Sequence, residues 1–149
     1  RLPDGLINSN SYSVSMWLNP EQLTNFTTAF FGASSNSSWI SLVPQLADKE
    51  TVLWANAAYQ AAAGFKIAVN QWTHVVFTVQ NGTVKLYING EEKFSGTDFP
   101  NIFKNNNGIF TLGVNYWDTP YKGLIDELKV YNNVLTKEKV LAEYQQYVK

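Results

Sequence analysis

The chain has 149 residues, a formal net charge of −1 at pH 7 and no cysteine. This length accommodates one domain with a sizeable core, and a hydrophobic content of 45% indicates a globular protein. The absence of cysteine excludes a disulfide framework, a thiolate zinc site and a cysteine nucleophile. The balance of 11 basic and 12 acidic residues argues against a nucleic-acid-binding protein. No apolar run approaches the roughly 18 residues of a membrane-spanning helix.

Alternation of apolar and polar residues predicts a series of short strands along the first half of the chain. In residues 12–18 apolar side chains occupy every second position, and an Asn-Pro pair then ends the strand. Further strands are predicted at 28–32, 39–43 and 51–55, with a polar loop at 33–38 between the first two. Residues 57–64 show little pattern and are predicted to form a loop or short turn.

The second half carries the strongest local signals, two Asn-Gly pairs at 81–82 and 89–90, which favour the tight turns of β-hairpins. These pairs join predicted strands at 72–79, 84–88 and 91–94, and two more strands are predicted at 109–115 and 123–131. Thr136 is placed to cap a short helix that carries Val140, Leu141 and Tyr144 on one side. About nine strands without alternating helices predict an all-β sandwich or barrel, and the uniform composition predicts a single domain over residues 1–149.

Five segments occur in a characteristic order: LPDGL at 2–6, YSVSMWL at 12–18, QWTHVVF at 71–77, LYING at 86–90 and YKGLIDELKVYNNVL at 121–135. In this order and spacing they resemble the laminin-G-like, concanavalin A-like jelly-roll family, in particular the bacterial domains appended to secreted glycoside hydrolases and surface proteins. The resemblance implies an all-β sandwich of two antiparallel sheets, with a short C-terminal helix.

The same resemblance implies a function. It implies a non-catalytic carbohydrate-binding module that binds a polysaccharide or glycan. It also implies a covalently linked glycoside hydrolase domain, which the module would target to its substrate. The implied location is secreted or on the surface of a bacterial cell. A nucleic acid or a membrane is not expected as a partner.

One departure from the family concerns the start of the chain. The family usually has a further strand ahead of the LPDGL segment, next to the final strand, whereas this sequence begins at Arg1. An edge strand without a neighbour exposes unpaired N–H and C=O groups. We therefore expect either that the first strand is missing, leaving an open edge beside residues 123–131, or that another segment supplies it.

Catalytic relatives of this fold place two Glu and an Asp on one strand, spaced Glu-x-Asp-x-x-Glu, so that alternation directs the carboxylates into one cleft. The chain contains no such run. Asp126 and Glu127 are adjacent and would face opposite sides of a strand, and Asp48 and Glu50 lie in a loop-like stretch. His74 is the single histidine and lies within a predicted strand, which favours a structural role. We therefore expect no catalytic activity.

Asp126 requires a separate explanation, because the alternation of residues 124–130 predicts that it faces inward together with Leu124, Leu128 and Val130. A buried carboxylate is costly unless it is paired or coordinated, and Ca²⁺ prefers oxygen ligands. Related jelly-roll glucanases hold a structural calcium through an Asp on the matching last strand. The resemblance therefore implies a structural Ca²⁺ at Asp126, assisted by carbonyl groups near the N terminus. The alternative is that Asp126 accepts hydrogen bonds or lies at the sheet rim.

A saccharide site needs flat aromatic faces for the C–H groups of the sugar and polar groups for its hydroxyls. The segment NYWDTPY at 115–121 joins two late strands and provides both kinds of group. Its Trp117 is the main candidate, and the other candidates in this segment are Tyr116, Asn115, Asp118 and Tyr121. Residues from three other segments complete the predicted site: Trp39, Tyr59 and Asn36.

Trp17 and Trp72 are expected to be structural, because they belong to the motifs of the fold. Trp54 lies beside Leu53 in a predicted strand and is expected in the core, with a position facing the ligand as the alternative. Two alternatives to carbohydrate binding stay open. A flat, exposed apolar patch would favour a protein-binding adhesion module. Burial of all three tryptophans at 39, 54 and 117 would instead favour a structural accessory domain without a ligand of its own.

Overall fold

The computed structural model describes residues 1–148, which fold into ten β-strands and one α-helix. In chain order these are β1 (Ser11–Pro20), β2 (Phe30–Ser35), β3 (Ser38–Leu46), β4 (Glu50–Ala55), β5 (Tyr59–Ala62), β6 (Thr73–Gln80), β7 (Thr83–Ile88), β8 (Glu91–Gly96), β9 (Ile109–Leu112), β10 (Gly123–Tyr131) and α1 (Lys137–Gln146). Sheet A has the spatial order β10-β1-β6-β7-β8, and sheet B has the order β5-β4-β3-β2-β9. All neighbouring strands are antiparallel, which confirms the predicted two-sheet jelly-roll sandwich.

The two sheets enclose one core that is built from every second residue of each strand. On the central strand β1 the predicted alternation is confirmed, because the inward side chains are all at most 1% exposed: Tyr12, Val14, Met16 and Leu18. Across the core, Phe30 of sheet B meets Phe77 of sheet A edge to face, with ring centroids 5.9 Å apart. Burial of such side chains supplies the main stabilisation of the sandwich.

Residues 57–64 contain β5, so the prediction of a loop or short turn there is wrong. The chain reverses at Asn56 (φ 52°) and Ala57 (φ 58°), which lets Ala55 pair with Tyr59. Two successive residues in the left-handed region form a hairpin turn, but alanine at the second position gives no glycine-like signal. Conversely, β9 ends at Leu112 rather than at 115.

Helix α1 covers part of the outer face of sheet A. Thr136 caps it as predicted, since the Thr136 side chain accepts a hydrogen bond from the Lys139 N–H at 3.2 Å. Val140 is fully buried and packs with sheet residues, whereas Leu141 is 41% exposed. Tyr144 stacks on Trp17 with centroids 5.7 Å apart, so the helix shields the Trp17 side chain. No helix within residues 1–148 has the length and apolarity that crossing a bilayer requires.

The segment before β1 runs beside β9. The Leu2 N–H donates to the Phe110 carbonyl and the Gly5 N–H donates to the Gly108 carbonyl, both at 2.8 Å. Gly5 has φ 69°, and a Cβ there would lie 2.4 Å from the Asn106 carbonyl oxygen, so only glycine fits this close approach. In the described residues β10 forms one edge of sheet A, and a further strand beside it stays a prediction.

Candidate functional site

Five aromatic side chains form a row on the outer face of sheet B, in which each ring contacts the next. In spatial order this aromatic strip consists of Phe26, Trp54, Trp39, Trp117 and Tyr116. Successive ring centroids are 5.9, 5.0, 5.7 and 5.3 Å apart. The strip therefore brings together residues of β3, β4 and two loops that are distant in sequence.

The pleat of sheet B positions the centre of the aromatic strip. Trp39 and Trp54 point away from the core because their sequence neighbours point into it, so the prediction that Trp54 belongs to the core is wrong. Phe31 of β2 lies underneath, with its ring 5.4 Å from that of Tyr116 and 6.0 Å from that of Trp117. The buried Phe31 thus supports the two exposed rings from below.

The members of the strip differ in their exposure to solvent. Trp117 is 53% exposed, Tyr116 is 50% exposed and Phe26 is 38% exposed. Trp54 is half-buried and Trp39 retains only 6% of its surface. The surface open to a ligand is therefore formed mainly by the two ends of the strip, with Trp39 as a support between them. Burial of Trp39, Trp54 and Trp117 together would have favoured a domain without a ligand. This condition is not met, because Trp117 is exposed and Trp54 is only half-buried.

The loop that carries Trp117 is held by its own polar side chains. The Asn115 Oδ1 accepts the N–H groups of Trp117 at 3.0 Å and Asp118 at 2.8 Å, and the Asn115 Nδ2 donates to the Asp118 Oδ2 at 2.8 Å. The Thr27 hydroxyl donates to the Thr119 carbonyl at 2.9 Å and ties the loop to the segment before β2. Asn115 and Asp118 therefore lie in one loop with Trp117, and their hydrogen bonds hold the backbone that carries the Trp117 indole.

A polar cluster of Asn25, Gln45 and Asp48 lies next to Phe26, at the other end of the strip. The Asn25 Oδ1 accepts the Asp48 N–H at 2.7 Å and the Gln45 Nε2 at 3.0 Å, and the Asn25 Nδ2 donates to the Asp48 Oδ1 at 3.0 Å. Amide and carboxylate groups thus flank the strip at both ends. Sequence reasoning missed Phe26 and this cluster, because only the fold brings their loops together and their Asn and Asp residues look like ordinary turn formers.

Three predicted site residues are not part of the strip. Tyr59 points to the core side of sheet B, where its ring lies 5.2 Å from that of Phe99 and its hydroxyl donates to the Thr97 carbonyl at 2.7 Å. Tyr121 packs against the core, and burial raises its pKa to about 12. Asn36 lies at the exposed tip of the β2–β3 turn. The structure therefore brings together Trp117, Tyr116, Asn115, Asp118 and Trp39. It turns Tyr59 and Tyr121 to the core and leaves Asn36 on the turn that precedes β3.

Asp126 does not face the core as its alternation predicted. The register between β10 and β1 shifts near Asp126, and Glu127 takes φ 52°, so β10 contains a β-bulge there. The bulge turns Asp126 and Leu124 outward, whereas Ile125 and Leu128 pack on the core. The Asp126 Oδ1 accepts the Glu127 N–H at 2.8 Å.

This environment does not fit the expected calcium ion, which takes about six to eight oxygen ligands. Asp126 is an exposed carboxylate at a sheet edge, and the N-terminal segment that was expected to assist it runs beside β9. Within residues 1–148 no three His, Cys, Asp or Glu side chains are grouped so that they could share a metal ion. Calcium binding at Asp126 stays a prediction that isothermal titration after chelation tests.

A second polar cluster lies beneath α1. The Glu143 carboxylate accepts hydrogen bonds from the Ser15 hydroxyl and, at 2.8 Å, from the Tyr131 hydroxyl, and it lies 3.4 Å from the His74 Nε2. Ser15 lies 3.3 Å from the same ring nitrogen. A catalytic Ser-His-carboxylate set needs the two partners on opposite nitrogens and an accessible hydroxyl. Here both partners share Nε2, and Ser15 and His74 are at most 1% exposed, so the cluster is not a catalytic site of that type.

The electrostatics of this cluster favour an ionised Glu143. Burial opposes ionisation, but hydrogen bonds from His74, Ser15 and Tyr131, together with the nearby Lys129, lower the pKa of Glu143 to about 2. Burial, reinforced by the Glu143 carboxylate, raises the pKa of Tyr131 to about 12. The cluster therefore anchors α1 to sheet A through the half-buried carboxylate of Glu143, which accepts hydrogen bonds from several donors.

A family model described as the concanavalin A-like lectin/glucanases superfamily matches residues 1–141. Among solved structures, the chain is similar to domain 4 of AbnA, a GH43 extracellular arabinanase from Geobacillus stearothermophilus, in complex with arabinotriose. The two are 56% identical with a TM-score of 0.91, over 95% of this chain and 70% of that chain.

More distant structures share only the fold. The heptameric SAP-like pentraxin from Limulus polyphemus is 16% identical with a TM-score of 0.66, over 91% of this chain and 71% of that chain. The Trypanosoma rangeli sialidase is 13% identical with a TM-score of 0.64, over 90% of this chain and 22% of that chain. No curated protein sequence matches the chain. The match over residues 1–141 identifies the chain as a member of the concanavalin A-like lectin/glucanases superfamily.

Proposed function

We propose that the chain is a non-catalytic carbohydrate-binding domain that holds an arabinose-containing polysaccharide on the aromatic strip. The observation that carries this proposal is the 56% identity, over 95% of the chain, to a domain whose structure was solved in complex with arabinotriose. Identity of this extent supports a shared ligand class, whereas fold similarity alone would not.

The chemistry of the strip is consistent with this ligand. Exposed faces of Trp117 and Tyr116 suit the C–H surfaces of sugar rings, and the amide and carboxylate groups at the two ends suit sugar hydroxyls. The loop with Trp117 is held in place before any ligand binds, which reduces the ordering cost of association. Two exposed rings and a few hydrogen bonds correspond to a Kd in the micromolar to millimolar range, about −4 to −8 kcal/mol.

The proposal extends to the context of the domain. In an extracellular arabinan-degrading enzyme, a module of this kind keeps a linked catalytic domain close to its polymer and raises the effective substrate concentration. The extracellular origin of the similar arabinanase supports such a setting. A fusion of this chain to an arabinanase catalytic domain is expected to accelerate hydrolysis of insoluble arabinan more than hydrolysis of soluble oligosaccharides.

The binding site is tested by measuring affinity for arabinotriose and linear arabinan by isothermal titration calorimetry, for the wild type and Trp117→Ala. Loss of the most exposed tryptophan of the strip is expected to weaken binding about 30-fold. Phe65→Ala is the matched control, because Phe65 is also an exposed aromatic residue, at 41%, but lies outside the strip. Its affinity is expected to equal that of the wild type.

Two results would contradict the proposal in different ways. Wild-type affinity in Trp117→Ala would remove the strip from the site while leaving carbohydrate binding intact. A folded wild type that binds neither arabinotriose nor arabinan would overturn the ligand class, and would favour a protein-binding adhesion module instead.

A further inference from the structure

A groove of 480 Å³ lies on the outer face of sheet A, on the side of the sandwich opposite the aromatic strip. Its floor is formed by outward residues of β6 and β7, and its wall by the segment that enters α1. The lining residues are Thr78, Gln80, Thr83, Lys85, Tyr87, Asn133, Val134, Leu135, Thr136 and Lys137. This volume falls within the range of about 300–1,000 Å³ that is usual for small-molecule sites.

The wall of the groove is fixed by the buried Ser13. The Ser13 hydroxyl donates to the Asn133 carbonyl at 2.8 Å and accepts the Leu135 N–H at 2.9 Å. Leu135 is 7% exposed and packs with Val140 of α1. Both ends of the wall are therefore tied to sheet A, and the groove is preformed, as ligand sites usually are.

The chemistry of the lining suits a ligand that is rich in hydroxyl groups. It contains the hydroxyls of three threonines, the amides of Gln80 and Asn133, and the ammonium groups of Lys85 and Lys137. Gln80, Thr83, Asn133 and Lys137 are exposed and offer donors and acceptors to a ligand. The Lys85 ammonium group already lies 3.3 Å from the Glu92 carboxylate, and the Thr136 hydroxyl already accepts the Lys139 N–H. Val134 adds a small apolar surface, which suits the C–H groups of a sugar, whereas Tyr87 is only 2% exposed and forms part of the floor.

We infer that this groove is a second saccharide-binding site. That its ligand is the same arabinose-containing polysaccharide rests on the proposed function. The floor of the groove and the aromatic strip lie on opposite outer faces, separated by two sheets that pack about 10 Å apart. One trisaccharide therefore cannot occupy both, and the domain binds two oligosaccharides at once or links two polymer chains.

The test is a titration of the ¹⁵N-labelled protein with arabinotriose, followed by ¹H–¹⁵N correlation spectra. Two separate groups of amide signals are expected to shift, one around Trp117 and one around Gln80 and Lys85. In Trp117→Ala the second group is expected to keep its response. In the double variant Gln80→Ala/Asn133→Ala the groove response is expected to weaken about tenfold while the strip response stays unchanged.

The control is Gln145→Ala, which removes an exposed amide from α1 outside the groove and is expected to change neither group. A single group of shifts, confined to the strip and abolished in Trp117→Ala, would overturn the second site and leave the proposed function standing. Shifts confined to the groove would support the second site and remove the strip from the proposed function. No shift anywhere with arabinotriose would overturn both.

Discussion

The outer faces of the two sheets carry similar residues but present them differently to solvent. Sheet A places Trp17 and His74 outward, and α1 covers them, so that Trp17 is 1% exposed. Sheet B places Trp39 and Trp54 outward, and the loop that carries the 53% exposed Trp117 packs against Trp39. An outward tryptophan on a strand is therefore no evidence of a ligand surface by itself, since the element that covers it decides its role.

Helix α1 on sheet A and the Trp117 loop on sheet B also differ in how they are attached. Helix α1 is held by the half-buried Glu143 and by apolar contacts around Val140, and both strengthen the fold. The loop over sheet B is held by local hydrogen bonds of Asn115 and leaves aromatic surface exposed. We therefore expect substitutions beneath α1 to change stability, and substitutions in the loop to change ligand affinity.

The largest effect is expected for Trp17→Ala. Removing a fully buried tryptophan leaves a cavity between α1 and sheet A, and should lower the free energy of unfolding by about 4 kcal/mol. Urea denaturation followed by circular dichroism measures this change. Trp117→Ala is the matched substitution on the other face, and should cost less than about 1 kcal/mol of stability. Equal losses of unfolding free energy in the two variants would mean that Trp17 contributes no more to stability than Trp117 does.

A slightly smaller effect is expected for Glu143→Gln, and it depends on pH. The pKa of Glu143 is about 2 in the folded protein against an ordinary value of 4.5, so its ionisation stabilises the fold above pH 4.5. This contribution, about 2 kcal/mol at pH 7 once solvent screening of the half-buried carboxylate is allowed for, is lost as the pH falls from 4.5 towards 2. Urea denaturation at pH 7, 4 and 2.5 should therefore show a gap between variant and wild type that closes on acidification.

Glu138→Gln serves as the control for this prediction, because it removes an exposed carboxylate from the first turn of the same helix. Its stability is expected to follow that of the wild type within about 0.5 kcal/mol at each pH. If Glu143→Gln ran parallel to the wild type over the whole pH range, the carboxylate would not be the anchor of α1.

The contrast between the faces also explains how much the sequence could predict. Alternation and Asn-Gly turns identified most strands of both sheets, because these signals are local. The bulge at Glu127 and the turn at Asn56 and Ala57 escaped prediction. Each places a residue other than glycine in the left-handed region, so the glycine that usually signals such a conformation is missing from the sequence. The bulge alone reversed the expected orientation of Asp126, whereas calcium binding there stays a prediction.

Prediction of the candidate site was limited in a different way. The segment around Trp117 was identified because it combines aromatic and polar residues in one loop. Its partners Trp54 and Phe26 come from other elements, and their meeting depends on the strand order of sheet B. Tyr59 has a suitable side chain, but pairing with Ala55 turns it to the core side. Residue type was therefore readable from the sequence, whereas the face on which a residue lies was not.

The smallest effect is expected for Asn115→Ala, which tests whether the loop is held in position before binding. The variant loses an acceptor for two N–H groups and a donor to Asp118, while Trp117 itself remains. Affinity for arabinotriose should fall about fivefold, equivalent to about 1 kcal/mol, with little change in stability. Asn36→Ala, at the exposed tip of the β2–β3 turn, removes a similar amide and should leave the affinity unchanged.

A positioning role further predicts that Asn115→Ala alters the fluorescence of Trp117 in the free protein, because the indole then samples more orientations. Reduced affinity with an unchanged free-state spectrum would instead indicate that Asn115 contacts the sugar directly.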